Sequence, residues 1–151
     1  MIQYPVPSLI SSLYSIFEHL PSVIFYIKDA QGTFIHCNSR FEQFHGLRAG
    51  QALGLNDFSL HRPSIASLYR NEDRKVIETG KPAVNRIWLV PNANGVLRWW
   101  VSNKFPTYDA IGNINGIAGA MYEMSDAKGM TEPFARIEPA LKLIHSDPHS
   151  P

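Results

Sequence analysis

The chain has one cysteine, Cys37, in 151 residues. That excludes an internal disulfide framework and a cysteine-built zinc site, and suits a reducing cytoplasm. It also lacks a charge surplus: 14 Lys+Arg face 13 Asp+Glu, a net charge of +1. No basic excess is present to grip nucleic-acid phosphates. No apolar run approaches the about 18 residues of a membrane span, and no basic stretch followed by an apolar one opens the chain. Neither a membrane partner nor a signal peptide is expected.

Catalytic signatures are missing as well. Gly112-Asn113-Ile114-Asn115-Gly116-Ile117-Ala118-Gly119 is glycine-rich, but its spacing is not G-x-G-x-x-G, and it runs into a strand pattern rather than a helix. No Walker lysine and no G-x-S-x-G elbow occurs. The six histidines are scattered; only His145 and His149 have ligand-like spacing, and Pro148 between them spoils a helical pair. No metal site is expected. Cys37 has no basic neighbour to lower its pKa and reads as an inert thiol. No nucleophile–base pair can be assembled, so an enzyme is not expected.

What remains is a 17.0 kDa chain of one domain's length, able to bury roughly two-thirds of its surface. Tyr4-Pro5-Val6-Pro7 reads as an extended lead-in and Ser8 as the N-cap of a helix. Its stripe (Leu9, Leu13, Ile16, Phe17, Leu20) must bury itself on its own domain or on a second copy of the chain. Pro21 stops it. Val23–Ile27 and Thr33–Cys37, separated by Asp29-Ala30-Gln31-Gly32, form a hairpin. Asn38-Ser39 caps a short helix carrying Phe41 and Phe44, which Gly46 ends. From Leu47 to Arg62 the pattern is weak and reads as turns and helical fragments.

Pro63 opens a helix over Ser64–Thr79, closed by Gly80-Lys81-Pro82. Glu72 and Asp73 fall beside its apolar face, either at a solvated rim, the more ordinary outcome, or paired with a cation. Strands follow at Val84–Val90, Val96–Phe105 and Ile114–Met124. Strands at both ends with helices between imply an α+β fold, one antiparallel sheet with helices packed on a face. Trp88, Trp99, Trp100, Phe105, Tyr108 and Tyr122 accompany a strand bearing Gly116, Ala118, Gly119 and Ala120. Bulky residues opposite small ones either interlock or leave a concavity for a small apolar ligand. Strand period puts Trp100, Ser102 and Lys104 on one face, as it does Ile117, Gly119 and Met121. A buried lysine midway along an apolar strand needs a carboxylate, and Asp73 is the expected partner of Lys104.

The run Leu20-Pro21-Ser22-Val23-Ile24-Phe25-Tyr26-Ile27-Lys28-Asp29-Ala30-Gln31-Gly32, then Phe34-Ile35-His36-Cys37-Asn38, resembles the opening of a PAS sensor domain. Tyr69–Pro82 resembles the long PAS helix and its exit, and Lys104-Phe105-Pro106 with Asp109-Ala110-Ile111-Gly112 the penultimate strand and its turn. The resemblance covers Phe17 to Asp126. Where many relatives end in Asp-Ile-Thr, this chain has Glu123-Met124-Ser125. It implies a five-stranded antiparallel sheet, helices on one face, an added N-terminal helix, and a ligand cavity between sheet and helices. The implied ligand-binding residues are Tyr26, Phe34, Tyr69, Trp88, Trp100, Ser102, Ile117, Gly119 and Met121. No cofactor is implied: the Asn-Cys-Arg run of flavin-binding relatives is absent, and the long helix has no haem-ligating histidine, with His61 just outside it.

Residues 134–145, after a linker-like Ala127–Thr131, resemble the first helix of an AraC-type helix-turn-helix domain. The expected organisation is therefore an N-terminal helix (1–21) that packs on its own domain or forms a homodimer seam, a PAS domain (22–126), and a linker with the start of a DNA-binding domain (127–151); a homodimer is the expected assembly. Contact with DNA would run only through that further domain. The expected function is sensing of a small, largely apolar metabolite by a cytoplasmic transcription regulator. A ligand-free dimerisation or docking module is the alternative.

Overall fold

Three hairpin turns in this chain share one chemistry. Asp29 Oδ1 accepts the backbone N–H groups of Gln31 and Thr33 at 2.9 and 3.0 Å. Asp109 does the same for Ile111 and Asn113, and Asn92 for Asn94 and Val96. A short acceptor side chain that binds its own downstream backbone closes each turn locally. The β-branched and aromatic runs between them then form strands.

The computed structural model describes residues 6–20 and 22–124, with side chains from residue 11 onward. Five strands, β1 (Val23–Asp29), β2 (Phe34–Cys37), β3 (Ala83–Pro91), β4 (Leu97–Tyr108) and β5 (Ile114–Glu123), form one sheet in the order β2-β1-β5-β4-β3. All neighbours are antiparallel. The last strand lies at the centre, paired with the first, so both ends of the domain meet in mid-sheet. This is the α+β architecture expected above.

Helices α2 (Ser39–Phe44), α3 (Asp57–Leu60) and α4 (Pro63–Thr79) cover one face. Pro63 occupies the first turn of α4, where a missing N–H costs nothing, and Gly80 caps its end at φ 67°, a conformation cheap only for glycine. Ala66, Tyr69 and Val76 point from α4 into the core with Ile24, Tyr26, Phe34, Phe41, Trp100 and Ile117. In the weakly patterned stretch, α3 is fixed by a capping box: Asn56 Oδ1 accepts from Ser59 N–H, and Ser59 Oγ accepts from Asn56 N–H.

The fourth helix, α1 (Val6–Glu18), begins two residues before the expected cap at Ser8, and Val6-Pro7 form its first turn instead of an extended lead-in. It lies against the opposite face. Phe17 stacks on Phe25 at 4.1 Å and Tyr14 on His36 at 3.8 Å. Its stripe is thus split: Phe17 is half-buried on its own domain, while Leu13, Ile16 and Leu20 stay exposed. The Leu9 side chain lies outside the described residues, as do the linker and helix expected over 127–151. Buried Asn38 ties α1, β1 and α2 together. Its Oδ1 accepts from Phe25 N and Phe41 N, both at 3.1 Å, and its Nδ2 donates to Val23 O at 2.8 Å and Phe17 O at 3.2 Å.

Candidate functional site

Strand alternation decides which side chains face the helices. Ile24, Tyr26 and Lys28 of β1, Trp88 and Val90 of β3, Ser102 and Lys104 of β4, and Met121 of β5 point inward. Phe34, Phe41, Phe44, His45, Asp57, His61 and Tyr69 meet them from β2 and the helical side. Between the two layers lies a cavity of about 40 Å³. That is room for a few waters, and well below the about 150 Å³ of a cavity that takes benzene. A ring-sized guest is admitted only as wall side chains give way, and Met121, unbranched and with soft rotamers, is the readiest to do so.

The wall is apolar except at defined points. Tyr69 Oη, Trp88 Nε1 and Ser102 Oγ are buried and have no hydrogen-bond partner among the described residues. An unsatisfied buried donor is costly, about 1–3 kcal/mol each, so three lining one cavity, Trp88 and Ser102 from the sheet and Tyr69 from α4, is an arrangement that needs a reason. Burial pushes the Tyr69 phenol above its ordinary pKa, so it remains a neutral donor.

One end of the cavity is closed by a buried ionic network. Lys104 Nζ donates to Asp73 Oδ1 at 2.8 Å, and Lys28 Nζ to Asp73 Oδ2 at 2.8 Å and Asp57 Oδ2 at 2.6 Å. Glu72 lies 3.2 Å from both Lys104 and Arg86, and Arg70 3.5 Å from Asp73. Burial opposes ionisation of Asp73, but Lys104 and Lys28 outweigh it and hold the carboxyl below its ordinary range. Lys104 shows the converse: burial opposes its charge, and the Asp73 and Glu72 carboxylates keep it protonated. Glu72 and Asp73 are therefore not at a solvated rim; both are buried, and each has cations from the sheet.

Of the residues expected to bind ligand, Tyr26, Phe34, Tyr69, Trp88, Ser102 and Met121 line this cavity. Three do not. Trp100, fully buried, stands edge-on to Phe44 at 4.9 Å and fills its own space. Ile117 is packed in the core. Gly119 lies under the Tyr26 ring, which occupies the room a side chain there would need. Residues not foreseen include Lys28, which the strand period places beside Tyr26, and Asp57, hidden in the weakly patterned stretch. Cys37 is half-buried, and burial pushes its thiol up to about 12.

His45 and His61 complete an edge-to-face series of rings: His45 to His61 at 5.4 Å, His61 to Tyr69 at 5.2 Å, Tyr69 to Trp88 at 5.3 Å. Burial, helped by His45 and Lys28, lowers His61 to about 3. Asp57 also lines the cavity. Between pH 6.5 and 3 the unfolded chain binds a proton at His61 that the folded chain refuses, so stability falls as pH falls through that window. By pH 5 the loss is about 2 kcal/mol. The variant His61→Phe keeps a ring and should reduce this slope between pH 7 and 5 in urea unfolding, leaving the part due to His45, whose imidazole is also lowered by burial; an unchanged slope would place the loss elsewhere. Asp73 does not contribute there, since its titration lies below the ordinary carboxylate range.

Residues 17–129 match the PAS fold family. The chain belongs to that family. Comparison with curated protein sequences finds no match. Among solved structures, this PAS domain is similar to VqmA bound to DPO (28% identity, TM-score 0.66, 77% of this chain and 58% of that one). It is similar to the Vibrio cholerae VqmA dimer, described in relation to target DNA and LuxR-type receptors (28%, TM-score 0.67, 82% and 53%). A phage VqmA–DPO complex also matches (25%, TM-score 0.64, 90% and 59%). The chain thus spans little more than half the length of these relatives. They also correct one expectation: the DNA-linked neighbours are LuxR-type, and nothing supports the AraC-type reading of residues 134–145, which lie outside the described residues.

Among the described residues, no group of His, Cys, Asp and Glu could hold a metal ion, and no helix is long and apolar enough to cross a membrane.

Proposed function

We propose that this PAS domain senses a small, largely apolar compound carrying hydrogen-bonding groups, and passes the binding signal to a C-terminal DNA-binding region of a transcription regulator. The observation that carries the reading is the trio Tyr69 Oη, Trp88 Nε1 and Ser102 Oγ, unpartnered among the described residues and lining one largely apolar cavity from both layers. A guest with acceptor and donor atoms on a flat ring would satisfy them. The VqmA relatives solved with DPO lend support.

The route outward follows from topology. Met121 lines the cavity on β5, and β5 is the central strand that leads into the C-terminal segment. A guest that favours one arrangement about a hundredfold supplies roughly 2.7 kcal/mol to bias it. The regulator acts as a homodimer in this reading. Leu13 and Ile16 of α1, with Phe105, Tyr108 and Tyr122 of the same sheet face, are exposed apolar groups for a second copy to cover.

The narrowness of the cavity favours a second reading, a ligand-free dimerisation module. Native mass spectrometry of protein purified from cells, followed by thermal-shift measurement with DPO as the first probe, separates the two. Sensing expects a co-purifying mass or a raised melting temperature, and about tenfold weaker binding in Ser102→Ala, the worth of one hydrogen bond. No bound mass and no shift with DPO or a panel of small heterocycles would leave only the module.

A further inference from the structure

On the far side of the His45–His61 ring pair lies a second hollow, a surface pocket of about 370 Å³. Its walls are the end of α3, the start of α4 and the Pro91–Gly95 turn, and it shares only His45 and His61 with the internal cavity. The two rings are the partition between them. We infer that this pair is the gate through which a guest passes from the surface pocket into the cavity, with His61 as the moving leaf and His45 as the fixed one.

The bonding of the two rings differs in the way a gate requires. His45 Nδ1 donates to Phe41 O at 2.9 Å, which fixes that ring to α2. The His61 ring makes no hydrogen bond among the described residues; its ring contacts are edge-to-face with His45 and Tyr69. It can turn without breaking one. Its backbone follows α3, a helix of four residues, and the facing turn is joined to α2 by one backbone bond, Ala93 N to Phe44 O at 3.2 Å. The other walls are costlier to part. The sheet is a continuous five-stranded ladder, α4 runs 17 residues, and the ionic network ties β1 and β4 to α4. Burial lowers both imidazoles below their ordinary pKa, so the leaves are uncharged at neutral pH and do not obstruct an apolar guest.

As a route for a guest, this rests on the sensing reading, but the gate itself is testable without a ligand. Trp88 sits on the cavity wall and Trp100 in the adjoining core. In the full chain carrying Trp88→Phe and Trp99→Phe, acrylamide quenching of the remaining indole, the fully buried Trp100, reports how readily a small neutral solute reaches the interior. His61→Ala is expected to raise the bimolecular quenching constant several-fold, with circular dichroism unchanged. Met121→Ala enlarges the cavity from the sheet side, leaves the ring pair closed, and should change it little. If His61→Ala unfolds the chain, His61→Gln removes the ring with less loss of volume and serves the same comparison. Quenching that is unmoved by loss of the His61 ring, or raised as much by Met121→Ala, overturns the gate. A failed ligand screen would sink the sensing reading and leave this result unaffected.

Discussion

Asp73→Ala is expected to cost about 3–5 kcal/mol, the penalty for breaking a buried ion pair from one side. Asp73 is fully buried, and its two oxygens receive two different ammonium groups, from β4 and from β1. It is the one carboxylate that both lysines share. Its removal leaves Lys104 with Glu72 and Lys28 with Asp57, so two cations are under-compensated at once. Lys104→Met should cost less, because Asp73 keeps Lys28. The double variant Asp73→Ala with Lys104→Met should lose clearly less than the sum of the singles, since the second change removes a charge that the first left stranded. Urea unfolding at neutral pH measures all three. Strictly additive losses would mean that the two groups do not work as a pair.

The sign of the pH dependence gives a second check on the same network. A carboxyl held below its ordinary pKa contributes stability that is fully present above about pH 4 and is lost as pH falls through the folded value. The wild-type chain should therefore lose a component of stability below pH 4 that Asp73→Ala lacks. Because the groups are buried, that component should also persist in salt that would screen a surface pair.

The expected Asp73–Lys104 contact was legible because two periods intersect: a lysine at an inward strand position and a carboxylate beside an apolar helix face. Lys28 was open to the same logic, being two residues from Tyr26 on β1. Asp57 was not. Its burial is produced by the docking of a one-turn helix, and no periodicity exists over four residues. Glu72 was legible only as far as the choice between rim and ion pair, because the cations that meet it, Lys104 and Arg86, come from two strands whose placement no local pattern gives. The three hairpin turns followed from local chemistry that each segment carries in itself; the strand order did not, because it is set by the long-range pairing of β1 with β5. The cavity wall did not, since Trp100 and Met121 are both inward and only packing decides which of them borders empty space. The N-terminal stripe was split for a similar reason. Phe17 meets Phe25 on its own sheet, and the surface left over by that contact can be known only once the contact exists.

Gly119 shows how a residue can shape the cavity without bordering it, and here the expected effect is large in both stability and binding. Tyr26 and Gly119 are directly paired across β1 and β5. A Cβ on residue 119 would lie 2.5 Å from the Tyr26 phenol oxygen and closer still to the ring. The ring is buried, edge-on to Phe34 at 5.8 Å, so it cannot retreat to solvent. Its one free direction is into the cavity, which it would fill. Gly119→Val should therefore cost about 3 kcal/mol through overpacking and abolish binding of any guest the cavity takes. The sign makes the test sharp. The Gly119 backbone is not in the left-handed region, and valine is a better strand former than glycine, so without the ring the same change would stabilise the sheet. Pairing Gly119→Ala with Tyr26→Leu should recover stability relative to Gly119→Ala alone. If Gly119→Ala is neutral, or if the pair is no better than additive, the ring does not depend on that missing side chain for its seat.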